Sequence, residues 1–502
     1  MSAPLEDVVE TARVVAEASA RNDKVAALSA LLSAITPAEA PEVVGLLTGE
    51  IRQGRIGVGW AAVRDLDVTP TETSSLLVDD VDNAMNELAS ISGAGSKTRR
   101  AELLQSLLGR ATENESDFLQ TVLTGGLRQG ALDGVMTTAI AKASAVPVAA
   151  VRRAAMFSGD LGETAEVALS RGRPGLDAVG LVVGRGVQPM LAATAVSVTE
   201  AMQELDEDVS VQAKLDGIRL QVHRSQDEVR LFTRNLNDVT DRLPGVCDLI
   251  RTLPVSSVVL DGELVGVSDE SPEMFQDTAS TFSSGGDSAR VELQVQFFDI
   301  LHRDGTDLVD EPLASRLQHL AEVVGECAVA GIVTTSVEAA ESFSAETLAA
   351  GHEGVMVKAL SSPYAAGRRG KTWRKVKPVH TYDLVVLGVE WGHGRRTGLL
   401  SNLHLGARDG DSFVMVGKTF KGLTDELLRF QTEALLALET HREGIAVFVR
   451  PELVVEIAID GVQRSTTYPG GLALRFARVK QYRQDKQSSE ADSIDDLQAL
   501  IR

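Results

Sequence analysis

From the N-terminus to about residue 188, apolar residues recur at intervals of three and four, as in Ala101-Glu102-Leu103-Leu104-Gln105-Ser106-Leu107-Leu108. That spacing puts them on one face of a 3.6-residue helix and predicts an all-α region. Inside it, Thr48-Gly49-Glu50-Ile51-Arg52-Gln53-Gly54 returns 76 residues later as Thr124-Gly125-Gly126-Leu127-Arg128-Gln129-Gly130. Each copy follows a leucine-rich helix pair opened near a lysine, Lys24 and Lys97. Two related helical lobes are expected. Arg52 and Arg128 either meet a phosphate or close their own turns.

Near Pro189 the pattern shortens. Alternating or apolar runs at Val209–Lys214, Leu220–His223, Val229–Thr233, Val258–Leu260, Val291–Phe298 and Val355–Lys358 predict strands. A helical stretch, Pro312–Val324, separates some of them, giving an α+β domain with antiparallel pairing. After Pro378 come strand-like Tyr382–Val389, Ser401–Leu405 and Ser412–Val416, a helical Thr424–Thr440, then Ala446–Val449 and Leu453–Ile459. Five short strands around one helix suit a C-terminal β-barrel of the OB-fold type. The chain thus divides into three domains, 1–188, 189–379 and 380–502. The polar, acidic tail after Lys486 is expected to be loosely held.

Composition narrows the function. Two cysteines among 502 residues exclude a disulfide framework or a four-cysteine zinc module, and the eight histidines lack metal-ligand spacing. The acidic start, Met1 to Glu10, is no signal peptide, and no apolar run reaches the roughly 20 residues that cross a bilayer. A cytoplasmic protein without a membrane partner is expected. Net charge is −22, yet Pro363 to Arg396 carries eight basic residues against Asp383 and Glu390. That stretch is +6 and leaves −28 elsewhere, so one focused polyanion site on an acidic protein is predicted.

Two strings imitate a phosphate-binding P-loop and fail. Gly370-Lys371-Thr372 has Ala365 where the first glycine belongs, and Gly95-Ser96-Lys97-Thr98 has Ser96 before its lysine. The chemistry lies instead in Lys214-Leu215-Asp216-Gly217-Ile218-Arg219 and in a series of short motifs downstream. Arg234 ends a strand; Asp261-Gly262-Glu263 sets two acids about a glycine; Phe298-Asp299 puts an aromatic before an acid. Glu353-Gly354 turns into a strand, Lys375 and Lys377 share one strand face, and Arg475, Arg478, Arg483 and Lys486 come last. A lysine nucleophile needs activation. Like-charge repulsion from Lys375 and Lys377 would favour the neutral amine, and the same cations would neutralise a phosphate. Glu263 and Glu353 offer the oxygen donors that Mg²⁺ prefers. Phe298 offers a stacking face, worth roughly 1–3 kcal/mol against a base.

The order and spacing of these six motifs, over residues 212 to 486, closely resemble an ATP-dependent DNA ligase of the actinobacterial B type, a branch of the covalent nucleotidyltransferases. Phe157-Ser158-Gly159-Asp160-Leu161-Gly162 and the two R-Q-G turns extend the resemblance into the helical region. It implies that Lys214 carries AMP from ATP, that 189–379 is the adenylation domain, and that 1–188 grips DNA. Gln212 and Phe298 would lie at the adenine, Arg219 and Glu263 near the ribose. Arg234 would face a DNA or nucleotide phosphate, and Arg369, Lys375 and Lys377 the α-phosphate region. Arg475, Arg478, Arg483 and Lys486 would orient pyrophosphate. Glu263, Glu353 and Asp216 would serve Mg²⁺, with Asp216 also close to the 3′-hydroxyl. A monomer acting on nicked duplex DNA, cytoplasmic and nucleoid-associated when bound, completes the expectation.

Some positions depart from that pattern. Gln212 stands where many relatives have Glu, Ala477 where the motif has Pro, and Arg374 follows Trp373 in place of an apolar residue. Lys358 reads as either a phosphate contact or a surface charge, and Arg316 as a structural ion pair. RNA ligases and capping-type guanylyltransferases share the lysine motif, but the helical region favours DNA. An NAD-dependent ligase needs more cysteines. A non-catalytic nick clamp has no use for a reactive lysine.

Overall fold

The computed structural model describes residues 2–54, 56–64, 66, 68–127, 133–268, 271–272, 292–365 and 369–501. Its N-terminal part is helical from Leu5–Glu17 to Leu161–Asp177 and contains the predicted internal echo. Helices Arg21–Ala34 and Ala40–Thr48 lead into the first turn, and Ser96–Leu108 and Glu113–Leu123 into the second. In both copies the threonine hydroxyl donates back to a carbonyl four residues earlier, Thr48 to Val44 and Thr124 to Gln120. In both, the next glycine takes the left-handed conformation that ends a helix, with φ 78° at Gly49 and 68° at Gly125. A Cβ at Gly49 would lie 3.3 Å from Leu127 Cβ, so the turns face each other. Arg52 is paired with Asp82 of helix Val78–Ser90 and, at 3.5 Å, with Glu42 of the preceding helix. Arg128 lies outside the described residues.

The middle of the chain forms two sheets. One has the order β1-β11-β10-β2-β9, from Leu191–Thr194 (β1), Val209–Lys214 (β2), Gly331–Thr334 (β9), Gly354–Ala359 (β10) and Arg369–Val376 (β11). The other has the order β4-β3-β5-β7-β8, from Ile218–Ser225 (β3), Glu228–Thr233 (β4), Ser257–Ser268 (β5), Glu292–Arg303 (β7) and Thr306–Asp307 (β8). Ser271–Pro272 (β6) pairs with β5. All pairings are antiparallel except β1 with β11. Helix Leu313–Val324 covers the second sheet and buries Arg316 beside Asp299 (2.7 Å, both side chains fully buried), the structural ion pair expected of it.

The C-terminal part contains the five strands read from the sequence and four more among the described residues. The five are His380–Trp391 (β12), Leu400–Asp409 (β13), Ser412–Thr419 (β14), Ala446–Val449 (β16) and Val454–Ile459 (β17). The additions are Glu439–Glu443 (β15), Gly461–Arg464 (β18), Leu472–Arg475 (β19) and Arg478–Tyr482 (β20). β12 is central, pairing with β13, β16 and β17. The result is an OB-type half-barrel, with helix Asp425–Ala437 on its core. The tail corrects its reading as loosely held. Asp492 accepts from the Asp383 N–H at 2.6 Å, Ser493 caps helix Ile494–Gln498, and Leu497 is buried. Period-3.6 apolar spacing survives in those few acidic residues, and that is enough to dock them. Among the described residues no helix is long and apolar enough to cross a membrane.

Candidate active site

Strand pairing brings the scattered motifs together. β10 lies between β2 and β11, so Met356 faces Gln212 on one side and Lys375 on the other. Two residues along, Lys214 pairs with Gly354, and the Glu353 N–H donates to the Lys214 carbonyl at 3.0 Å. Side chains two apart on a strand share a face. Gln212 with Lys214, and Lys375 with Lys377, therefore line one surface. The motif glycines are required for this closeness. A Cβ at Gly217 would come within 2.2 Å of the Leu264 carbonyl, and one at Gly354 within 2.3 Å of Val376 O. In the second sheet Arg219 stands opposite Glu263.

A cavity of about 290 Å³ opens over these rows. Gln212, Lys214, Arg219, Arg234, Glu263, Phe298 and Lys375 line it, together with Met190, Leu191, Ala192, Met356, Lys358 and Trp373, among others. Phe298 meets Trp373 edge to face, with centroids 6.1 Å apart. Lys358, left open by the sequence, is 1% exposed and sits 4.2 Å over the Trp373 ring and 4.7 Å over Phe298. Burial pulls its ammonium down to about 7, against the pull of Asp299 and Asp261. Its place on the strand Gly354–Ala359 was the available signal, since two-residue alternation puts it on the face of Met356. Among the described residues, two buried polar atoms at this cavity lack partners, Gln212 Oε1 and Trp373 Nε1. Such atoms cost free energy unless something bonds them. Arg219 is held by Asp261 (2.5 Å), the Met190 carbonyl (2.7 Å) and, at 3.4 Å, the Tyr364 hydroxyl.

Lys214 is ion-paired with Glu353, whose other oxygen accepts from Lys377 at 2.9 Å. Repulsion by neighbouring lysines is therefore an incomplete account, because Lys214 and Lys377 meet through a shared counter-ion. Burial would raise the Glu353 carboxyl, but the two lysines outweigh it and hold it below the usual carboxylate range. The barrel reaches this cluster. Arg475 donates to Asp216 at 2.8 and 3.3 Å, and Asp460 takes Lys377 at 2.6 Å. Arg478 approaches Asp460 at 3.5 Å. Arg483 and Lys486 do not join them; both are held on Asp383 within the barrel, at 3.0 and 2.6 Å. The side chain of Arg369 lies outside the described residues.

The three acids expected at a metal are likewise divided. Glu353 serves two lysines, Asp216 serves Arg475, and among the described residues no group of three His, Cys, Asp or Glu gathers to hold an ion. Glu263 differs from both. It has an edge on the cavity and makes no ion pair among the described residues. Burial pushes its carboxyl up to about 7, against Lys214 and Arg219. One such carboxylate completed by substrate phosphate oxygens fits Mg²⁺, which seldom uses an all-protein cage.

Sequence comparison agrees with this geometry. Residues 189–377 match the family described as ATP dependent DNA ligase domain, 396–486 its C terminal region, and 61–141 the DNA ligase N terminus. A "Probable DNA ligase" of Rhodococcus opacus is 52% identical over 498 residues, covering 98% of this chain and 99% of the relative. One of Saccharopolyspora erythraea is 54% identical over 495 residues, covering 98% and 96%. The chain belongs to the ATP-dependent DNA ligase family. The ligase fold extends to a solved structure, Pmar-Lig_PreS3, which is 18% identical with a TM-score of 0.64 over 95% of this chain and 99% of that one. Within this ligase, the cavity beside Lys214 lies in the segment matched by the ATP dependent DNA ligase domain.

Proposed function

We propose that this chain seals nicks in duplex DNA by carrying AMP on Lys214, in three domains bounded at 1–188, 189–379 and 380–502. The observation that carries the reading is the position of Lys214. It stands at a nucleotide-sized cavity with Glu353, Lys377 and the barrel's Arg475 grouped beside it.

In the first step Lys214 leaves its ion pair with Glu353 and sheds its ammonium proton, and the free amine attacks the α-phosphate of ATP. A P–N bond forms, the bond between the α-phosphate and its bridging oxygen breaks, and pyrophosphate leaves. Next, the 5′-phosphate at the nick attacks the same phosphorus, the P–N bond breaks, and AMP moves to the DNA end. Finally the 3′-hydroxyl attacks the 5′-phosphate, forming the phosphodiester bond and releasing AMP. Phe298 and Trp373 wall the base, and Gln212 Oε1 accepts from the adenine amino group. Arg219 and Glu263 bound the ribose, Arg234 meets a phosphate at the mouth, and Lys375 and Lys377 neutralise the α-phosphate. Preorganised cations of this kind stabilise charge where it grows. Arg475 and Arg478 cover the departing pyrophosphate. Arg483 and Lys486 assist only if they leave Asp383. Glu263 would hold Mg²⁺, which neutralises phosphate charge when bound. Contacts to duplex DNA are mainly to its backbone. The enzyme works as a monomer in the cytoplasm, on the nucleoid.

The test uses a duplex with one labelled 5′-phosphorylated nick, supplied with ATP and Mg²⁺. Joined product is expected with ATP and none without it. Joining of nicked RNA alone, or no joining with ATP, contradicts the assignment.

A further inference from the structure

Asp460 directly follows β17 of the barrel, yet its contacts concern the adenylation site. Its carboxylate takes the Lys377 ammonium at 2.6 Å and the Arg478 guanidinium at 3.5 Å. Its N–H donates to the Arg475 carbonyl at 3.0 Å, while the Arg475 side chain reaches Asp216. The Asp460 side chain is 13% exposed and that of Lys377 11%, so this junction is largely shielded from water.

We propose that Asp460 is a positioning residue for the transfer of AMP to Lys214. It holds Lys377 jointly with Glu353 and ties Arg475 and Arg478 to the same junction. This rests on the ligase reading of Lys214. Lys377 has a flexible stem and two acids competing for it. With both present its ammonium is held between them, at the border of the two domains. Without Asp460 it collapses onto Glu353, where its charge is spent on the counter-ion of Lys214. Burial works against the Lys377 charge, but Asp460 and Glu353 outweigh it and hold the ammonium above the ordinary lysine value. The same carboxylate is a docking point for the barrel. Its loss therefore also weakens the approach of Arg475. Asp460 touches neither reacting atom in this arrangement and acts through these three cations.

The experiment measures enzyme–AMP formation against ATP concentration for the full chain and for Asp460→Asn, Asp460→Glu, Lys377→Ala and the double variant Asp460→Asn/Lys377→Ala. Sealing of a nick that already carries a 5′-adenylate is measured alongside. Asp460→Asn is expected to lower kcat for enzyme–AMP formation by roughly tenfold to a hundredfold, the scale of a misplaced catalytic group. The ATP KM should change less than kcat, and pre-adenylated sealing should fall by a much smaller factor. Asp460→Glu should recover part of the loss by restoring the charge. In the Lys377→Ala background Asp460→Asn should cost clearly less than it does alone, because the share of the effect that passes through Lys377 is already gone. Full adenylation by Asp460→Asn, additive losses in the double variant, or equal losses in both reactions would each overturn the proposal. If the wild-type chain forms no enzyme–AMP, the ligase reading itself fails. If it does so and Asp460→Asn matches it, only the role of Asp460 is lost.

Discussion

Arg475 of the barrel grips Asp216, two residues beyond Lys214, through both terminal nitrogens at 2.8 and 3.3 Å. The two residues are separated by 259 positions in the chain. This ion pair joins the barrel to the lysine motif and brings a guanidinium to the mouth of the site. Arg475→Ala is expected to slow enzyme–AMP formation by roughly 10²-fold. Arg475→Lys should restore little of it, since an ammonium cannot reproduce the planar fork. Single-turnover labelling of the enzyme checks both.

Glu263 gives the ligand-free protein a pH-dependent weakness. Burial raises its carboxyl to about 7, so the folded chain keeps a proton there that the unfolded chain has already released. The folded state then binds more protons than the unfolded one between about pH 4.5 and 7. The Glu263 contribution to stability is full below that window and falls as pH rises through it. Glu263→Gln removes the titration. It should flatten the dependence of Tm on pH over this range, raise the Tm of the unit that holds it at pH 8 by about 2–4 °C for each kcal/mol recovered, the scale of a domain of roughly 150–250 residues, and lower ligation. Differential scanning measurements at several pH values without nucleotide are the check.

Gln212 is 5% exposed, and its Oε1 has no partner among the described residues. An adenine amino group would satisfy it, whereas the carbonyl of guanine would leave it unmet. Gln212→Leu should raise the KM for ATP by roughly tenfold, the worth of one neutral hydrogen bond, and reduce discrimination against GTP. Steady-state adenylation with each nucleotide measures this.

Arg316 and Asp299 form a fully buried pair that the mechanism does not use. Removing one partner strands the other charge. Arg316→Ala is expected to cost about 3–5 kcal/mol of stability, read by chemical denaturation, with the catalytic rate of the folded fraction little changed.

Most of the architecture was legible because each part has its own periodicity. Val209–Lys214 and Ala446–Val449 match their observed bounds, and Leu313–Val324 starts one residue after its predicted edge. Leu191–Thr194 and Gly331–Thr334 escaped because they are four residues long and lie at sheet edges, where neither face needs a full apolar stripe. Helix Val337–Ala349 escaped because few of its positions are buried. The cavity-lining residues in named motifs were found, but their partners were not. No sequence spacing states that Glu353 bridges Lys214 and Lys377, or that Arg483 and Lys486 rest on Asp383. Those are long-range ion pairs set by register and docking. Lys358 was ambiguous because a strand lysine is ordinarily solvated, and only the structure places aromatic rings beneath it.

The central claim is that Lys214 itself carries the nucleotide. The decisive measurement is peptide mapping by mass spectrometry after incubation with ATP and Mg²⁺, repeated after nicked DNA is added. The account predicts AMP on the peptide containing Lys214, its disappearance when the nick is supplied, and no adduct on Lys214→Ala. An adduct on another residue, or nick sealing by Lys214→Ala, would contradict it.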